Sequence, residues 1–175
     1  QLVVCLLFQY AGMSFVDFAH LKERNIKNGI LDYNRQKTGT PMRLEILDTA
    51  ELMRKELMGD KKPASGYLFP FLSGTKTGYE AYLEYNAALS RFNRNLKALK
   101  KAAGIASDVT SYTIRHSFAM ALKEQNVPIE MISELLGHKS IKTTQIYLRS
   151  FSLEKMTEVN STCFGCVYNY VSKVG

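Results

Sequence analysis

The sequence predicts a mainly α-helical α+β domain with a small three-stranded antiparallel sheet near its N-terminus. The runs Ile30–Arg35 and Met42–Leu47 alternate apolar and polar side chains, the period of a half-buried strand, and Thr38-Gly-Thr-Pro41 between them reads as a hairpin turn. Asn28-Gly29 is a second turn signal and places a third short strand at Arg24–Ile26. Beyond Asp48 the apolar residues recur at helical steps to the end of the readable pattern.

Taken in order, Gln1–Tyr10 is apolar but too short to span a bilayer, and it lacks the basic flank and small-residue cleavage site of a secretion signal. A buried helix is expected there. The chain opens inside this apolar stretch without an initiator Met, so an upstream domain is expected before a single domain over 1–175. Asp48 followed by Glu51 is a capping-box pattern that opens a helix ending at Gly59. A loop rich in Lys, Pro, Ser and Gly carries Tyr67-Leu-Phe-Pro70, after which Tyr82, Tyr85, Leu89, Phe92, Leu96 and Leu99 mark one long amphipathic helix closed by Gly104. Arg91, Arg94, Lys97, Lys100 and Lys101 on it suit either a DNA phosphate backbone or a solvated helix face. Thr110 or Ser111 caps a helix over Thr113–Asn126, Pro128 begins another that Gly137 ends, and Ser140 or Thr143 starts a segment reaching Ser150. Leu153–Tyr170 has mixed helical character.

With 175 residues, 46% hydrophobic and 22% charged, the chain has the composition of one globular domain and not of a disordered or fibrous protein. Lys and Arg total 23 against 16 Asp and Glu, a net charge of +7, which points to a polyanionic partner: nucleic acid first, an anionic membrane surface second. Three cysteines do not make a disulfide scaffold, and a reducing, cytosolic compartment is expected.

Most catalytic signatures are missing from the sequence. Gly74-Thr-Lys-Thr-Gly78 lacks the spacing of a phosphate loop, no nucleophile-elbow serine or Mg²⁺-holding carboxylate cluster occurs, and Cys163-Phe-Gly-Cys166 has no second pair to complete a zinc site. What remains is Arg115-His116, His138 just past Gly137, and Tyr147 nine residues later. Together these supply an anion clamp, a proton donor and a nucleophile.

Those residues carry a resemblance. Tyr112-Thr-Ile-Arg115-His116-Ser117-Phe118-Ala119, Leu135-Leu-Gly-His138-Lys-Ser140 and Thr143-Thr-Gln-Ile-Tyr147 are similar to the catalytic domain of the tyrosine recombinases, the phage-integrase family. Gly12-Met-Ser-Phe-Val-Asp17 resembles the family's first arginine motif, Lys37-Thr-Gly39 its hairpin lysine, and Tyr67-Leu-Phe-Pro70 its mid-domain landmark, in wording most like integrases of Bacteroides mobile elements. Two positions depart from the pattern: Ser14 stands where the family places its first arginine, and Tyr112 where it favours histidine.

The resemblance implies the tyrosine recombinase fold and a site-specific recombinase or integrase acting on double-stranded DNA of a mobile element in the bacterial cytoplasm, at the nucleoid. It implies that Tyr147 attacks to give a 3′-phosphotyrosine while Lys37 protonates the leaving 5′ oxygen, with no metal or other cofactor. Arg115 offers a planar fork to two phosphate oxygens and His138 a further donor. Arg35, two residues before Lys37, is the expected surrogate for the missing first arginine, because strand alternation points both side chains to one face. A tetrameric synapse and accessory DNA-bending proteins belong to the same implication. A type IB topoisomerase-like enzyme and a non-catalytic DNA-binding relative are the readings left open.

Overall fold

The computed structural model describes residues 1–59, 66–148 and 156–157, with Tyr147 described through its backbone. Helix α1 (Leu2–Gln9) and the short α2 (Phe15–Ala19) precede an antiparallel sheet of β1 (Ile26–Lys27), β2 (Ile30–Asn34) and β3 (Pro41–Glu45), in the order β1-β2-β3. Then follow α3 (Asp48–Met58), the long α4 (Gly78–Ala102), α5 (Ser111–Glu124), α6 (Ile129–Leu135) and α7 (Ile141–Tyr147). The expected mainly helical fold with a three-stranded sheet is present.

Asn28 and Gly29 both have positive φ, 52° and 75°, the geometry that lets a two-residue turn match strand twist, and they join β1 to β2 in the register Lys27↔Ile30. The expected strand at Arg24–Ile26 is displaced: Glu23–Asn25 forms a 3-10 turn, held by the Asn25 side chain accepting from the Lys22 amide at 2.8 Å, and pairing begins at Ile26. Leu31 and Tyr33 on β2 and Met42 on β3 face inward while Asp32, Asn34 and Arg43 face out.

Asp48 does not cap α3. Leu47 occupies the cap position, and Glu51 instead binds Arg54 through two bonds of 2.7 and 2.6 Å. Pro128 likewise sits at the cap of α6 and not in its first turn. On α4 the inward face is Tyr85, Ala88, Leu89, Phe92 and Leu96, whereas Tyr82, expected in that stripe, is exposed and stacks on Tyr79. The expected helical stretch Leu153–Tyr170 and the Cys163–Cys166 pair lie outside the described residues.

Among the described residues the hydrophobic interior has two parts. A large one packs α1, α2, the sheet, α3 and α4 around stacked Phe15–Phe92 and Phe18–Phe69 rings, 4.5 and 4.1 Å between centroids. A smaller one holds Ala119, Ile132 and Leu136 with Phe118, Leu122, Val127 and Leu148, under α5, α6 and α7. Helix α5 contacts both α1 and α4 on one side and α6 and α7 on the other. At the seam between the two parts, buried Arg35 and Arg115 link early and late segments of the chain.

Candidate active site

The β2 alternation that buries Leu31 and Tyr33 continues one residue past the strand and buries Arg35. The backbone of Arg35 closes the hairpin loop, its amide donating to Thr40 O at 2.9 Å and its carbonyl accepting from Gly39 at 2.8 Å. Its side chain reaches across the seam: Nε donates to Asp17 Oδ2 at 3.3 Å, and Nη1 to the carbonyls of Leu136 at 3.0 Å and Gly137 at 3.2 Å. Asp17 is itself buried and accepts from the Ser14 hydroxyl at 2.5 Å and the Gln36 amide at 2.7 Å. Ser14 thus caps α2 and helps hold the carboxylate that holds Arg35.

Lys37 does not share that face. The chain leaves β2 at Asn34 and turns, so the alternation that carries Arg35 inward ends there, and Lys37 is exposed in the hairpin loop. The period-two argument reaches Arg35 and stops short of Lys37, because a turn has no strand period.

From the other side of the seam comes Arg115, 5% exposed on α5. Its Nη1 donates to Gly12 O at 3.0 Å, and its Nη2 to Leu136 O, the oxygen that Arg35 also binds. Arg115 Nη2 lies 3.3 Å from His138 Nε2, and His138 Nδ1 lies 2.9 Å from Thr144 Oγ1. A guanidinium only donates, so Nε2 accepts and the neutral ring carries its proton on Nδ1, directed at Thr144. Burial, then the positive charges of Arg115 and Arg35, lower the His138 pKa to about 4.

The turn that presents His138 depends on Gly137, whose φ is +61°. A Cβ at Gly137 would lie 2.8 Å from Arg35 Cδ and would also strike Met42 Sδ, so both the backbone conformation and the passage of Arg35 require glycine. Three residues on, Ser140 caps α7 by accepting from the Lys142 amide at 3.3 Å. Thr144 lies wholly buried on that helix, and Tyr147 is its last residue.

The structure therefore gathers Arg35, Arg115 and His138 at the Leu136–Gly137 turn, with the backbone of Tyr147 at the far end of the helix that follows. Tyr112, in the first turn of α5, is 60% exposed, and His116 is also exposed. Arg91, Arg94, Lys97 and Lys101 are exposed on α4, while Lys100 is half-buried and pairs with Asp108 at 3.1 Å. Three residues that sequence reading passes over belong to the cluster or its frame: Asp17, Thr144 and Lys123. Lys123 was readable, since it repeats the Arg115, Ala119 spacing at steps of four on α5, all three buried. Among the described residues, no cluster of His, Cys, Asp and Glu could hold a metal, and no helix is long and apolar enough to cross a membrane.

This fold has counterparts. The XerA recombinase structure superposes with a TM-score of 0.65 at 22% identity, over 89% of this chain and 54% of that one. A Tn1549 transposon integrase in complex with a circular intermediate DNA gives 0.65 at 16% identity, over 91% and 57%. These likenesses define a tyrosine recombinase catalytic-domain fold. Residues 1–154 match the phage integrase family, and the chain belongs to it. The tyrosine recombinase XerD of Lacticaseibacillus casei is 52% identical over 54 residues, 31% of this chain and 18% of that protein. XerC of Rickettsia typhi is 41% identical over 75 residues, 43% of this chain and 24% of that protein. The aligned stretches thus span about a quarter or less of these relatives.

Proposed function

We propose that the chain is the catalytic domain of a site-specific recombinase or integrase that cuts and rejoins double-stranded DNA through a 3′-phosphotyrosine. One observation carries this reading: Arg35, Arg115 and His138, from three separate elements, converge on the Leu136–Gly137 turn ahead of the helix that ends in Tyr147. Two guanidiniums held side by side offer the non-bridging oxygens of a phosphodiester a forked, charge-assisted set of donors. Family membership and the DNA-bound integrase among the structural neighbours support the same substrate.

In the proposed step, Tyr147 Oη gives up its proton to solvent and bonds to the scissile phosphorus, the P–O5′ bond breaks, and Lys37 from the hairpin loop delivers a proton to O5′ and is reprotonated by solvent. Arg115 and Arg35 neutralise the non-bridging oxygens, Arg35 in the place of the arginine that Ser14 replaces. The neutral His138 of the free protein accepts from Arg115 and has no proton on Nε2; an arriving phosphate raises its pKa and favours the charged ring, which then donates. The link keeps the phosphodiester's free energy, so a 5′ hydroxyl reverses it. In this reading Tyr112 takes the part of the usual histidine, and the exposed basic side chains of α4 follow the duplex backbone.

The upstream domain, tetrameric synapse, DNA-bending partners and cytoplasmic nucleoid setting complete the reading. Suicide-substrate cleavage tests it: the full-length protein is incubated with a pool of nicked duplexes of randomised central sequence, and denaturant-resistant protein–DNA adducts are captured and sequenced. Recovery of a defined site linked to Tyr147 is expected. Binding without any adduct would leave the non-catalytic reading.

A further inference from the structure

Helix α7 is only seven residues long, Ile141–Tyr147, too short to hold its own shape or place in water, so whatever fixes its ends fixes the position of Tyr147. Its first turn is tied by the Ser140 cap and its middle by buried Thr144 against His138. At its other end Leu148 is the C-cap residue, and its carbonyl accepts from Lys123 Nζ at 2.9 Å. Lys123 is 8% exposed, an unusual setting for a lysine. Its charge lies against the negative end of the helix dipole, where a cation is favoured.

Lys123 also stands on the same buried stripe of α5 as Arg115, with Ala119 between them. Eight residues of helix separate the two by about 12 Å. Arg115 grips the turn before α7 through Leu136 and His138, and Lys123 grips the carbonyl that follows Tyr147. One rigid helix thereby sets the distance between the phosphate clamp and the end of the helix that bears the tyrosine.

We propose that Lys123 is a positioning residue for strand cleavage, its Nζ–Leu148 bond holding Tyr147 in register with Arg115. The proposal rests on the reading of Tyr147 as nucleophile. It assigns Lys123 no contact with DNA and no proton transfer.

Single-turnover adduct formation at saturating nicked duplex tests it, using the full-length protein and the captured site. Lys123→Met keeps the aliphatic stem and removes both the donor and the buried charge. The expected result is unchanged DNA affinity with cleavage slowed about tenfold to a hundredfold, the scale of a displaced reacting group. Lys123→Arg, which keeps a cationic donor, restores most of the rate. The same defect should persist on a duplex with a 5′-bridging sulfur, whose thiolate leaves without a proton. Wild-type cleavage by Lys123→Met overturns the proposal, as does a loss confined to DNA affinity or relieved by the sulfur substrate. Should Lys123→Met fail to fold, Lys123→Gln decides between the same outcomes. Tyr147→Phe, run in parallel, isolates the underlying reading: adducts formed by that variant remove the nucleophile assignment whatever Lys123 does.

Discussion

Arg35 and Arg115 donate to one and the same oxygen, the carbonyl of Leu136. Two like charges meet at a neutral acceptor, with Asp17 bound to the first and His138 beside the second. The shared carbonyl fixes the relative position of the two guanidiniums without neutralising either.

Tyr147→Phe should preserve folding and DNA binding and abolish the covalent adduct, because only the attacking hydroxyl is removed. Gel mobility after denaturation reads the adduct directly. Persistence of the adduct would move attention to Tyr168 and Tyr170.

Arg35→Ala should slow adduct formation about a hundredfold, on the order of 3 kcal/mol of transition-state stabilisation, while Arg43→Ala on the exposed face of β3 should leave it nearly unchanged. Removing Arg35 also strips buried Asp17 of its cation, so the variant's melting temperature should fall. Arg35→Lys keeps charge and loses the fork, separating the two effects. Recovery of Arg35→Ala by Ser14→Arg is the expected sign that one arginine replaces the other. Equal cleavage by the Arg35 and Arg43 variants would take Arg35 out of the site.

His138 provides a pH signature. Its folded pKa of about 4 lies below the ordinary 6.5, so between those values the unfolded chain binds more protons than the folded one. Stability therefore falls as pH drops through that window and is unaffected by this group above it. Melting temperatures from pH 7 to pH 4 should decline more steeply for the wild type than for His138→Gln; parallel curves would contradict the shift.

The exposed cations of α4 should act on affinity and not on chemistry. Replacing Arg94, Lys97 and Lys101 together with Ala should reduce the slope of log affinity against log salt by up to about 3, one for each phosphate left without its cation, with cleavage at saturating DNA unchanged. An unaltered salt slope would make that face ordinary solvated surface.

How much of this was readable in the sequence differs residue by residue. The hairpin was, since Asn28-Gly29 and the alternation to Arg35 are local signals that the sheet obeys. Helix α2 was not, because five residues carry too little periodicity to register, and Ser14 reads as a lost arginine sooner than as its N-cap. Asp48 misled because a capping box competes with any stronger partner, and Arg54 offered Glu51 one. Within the site, Arg115 and His138 were legible through their spacing. Asp17 and Thr144 were not, because their roles arise only when distant segments meet, and Lys37 departed from the strand face because the chain turned before it.

The seam between the two hydrophobic parts has a consequence for biosynthesis. Gly12, Asp17 and Arg35 lie early in the chain, whereas Arg115, Leu136 and His138 lie late, and no local segment contains enough of them to build the cluster. Pairings so far apart in sequence are late events in folding. A chain whose two parts have not docked therefore lacks the Arg35–Arg115–His138 cluster, which exists only when both ends of the sequence are in place.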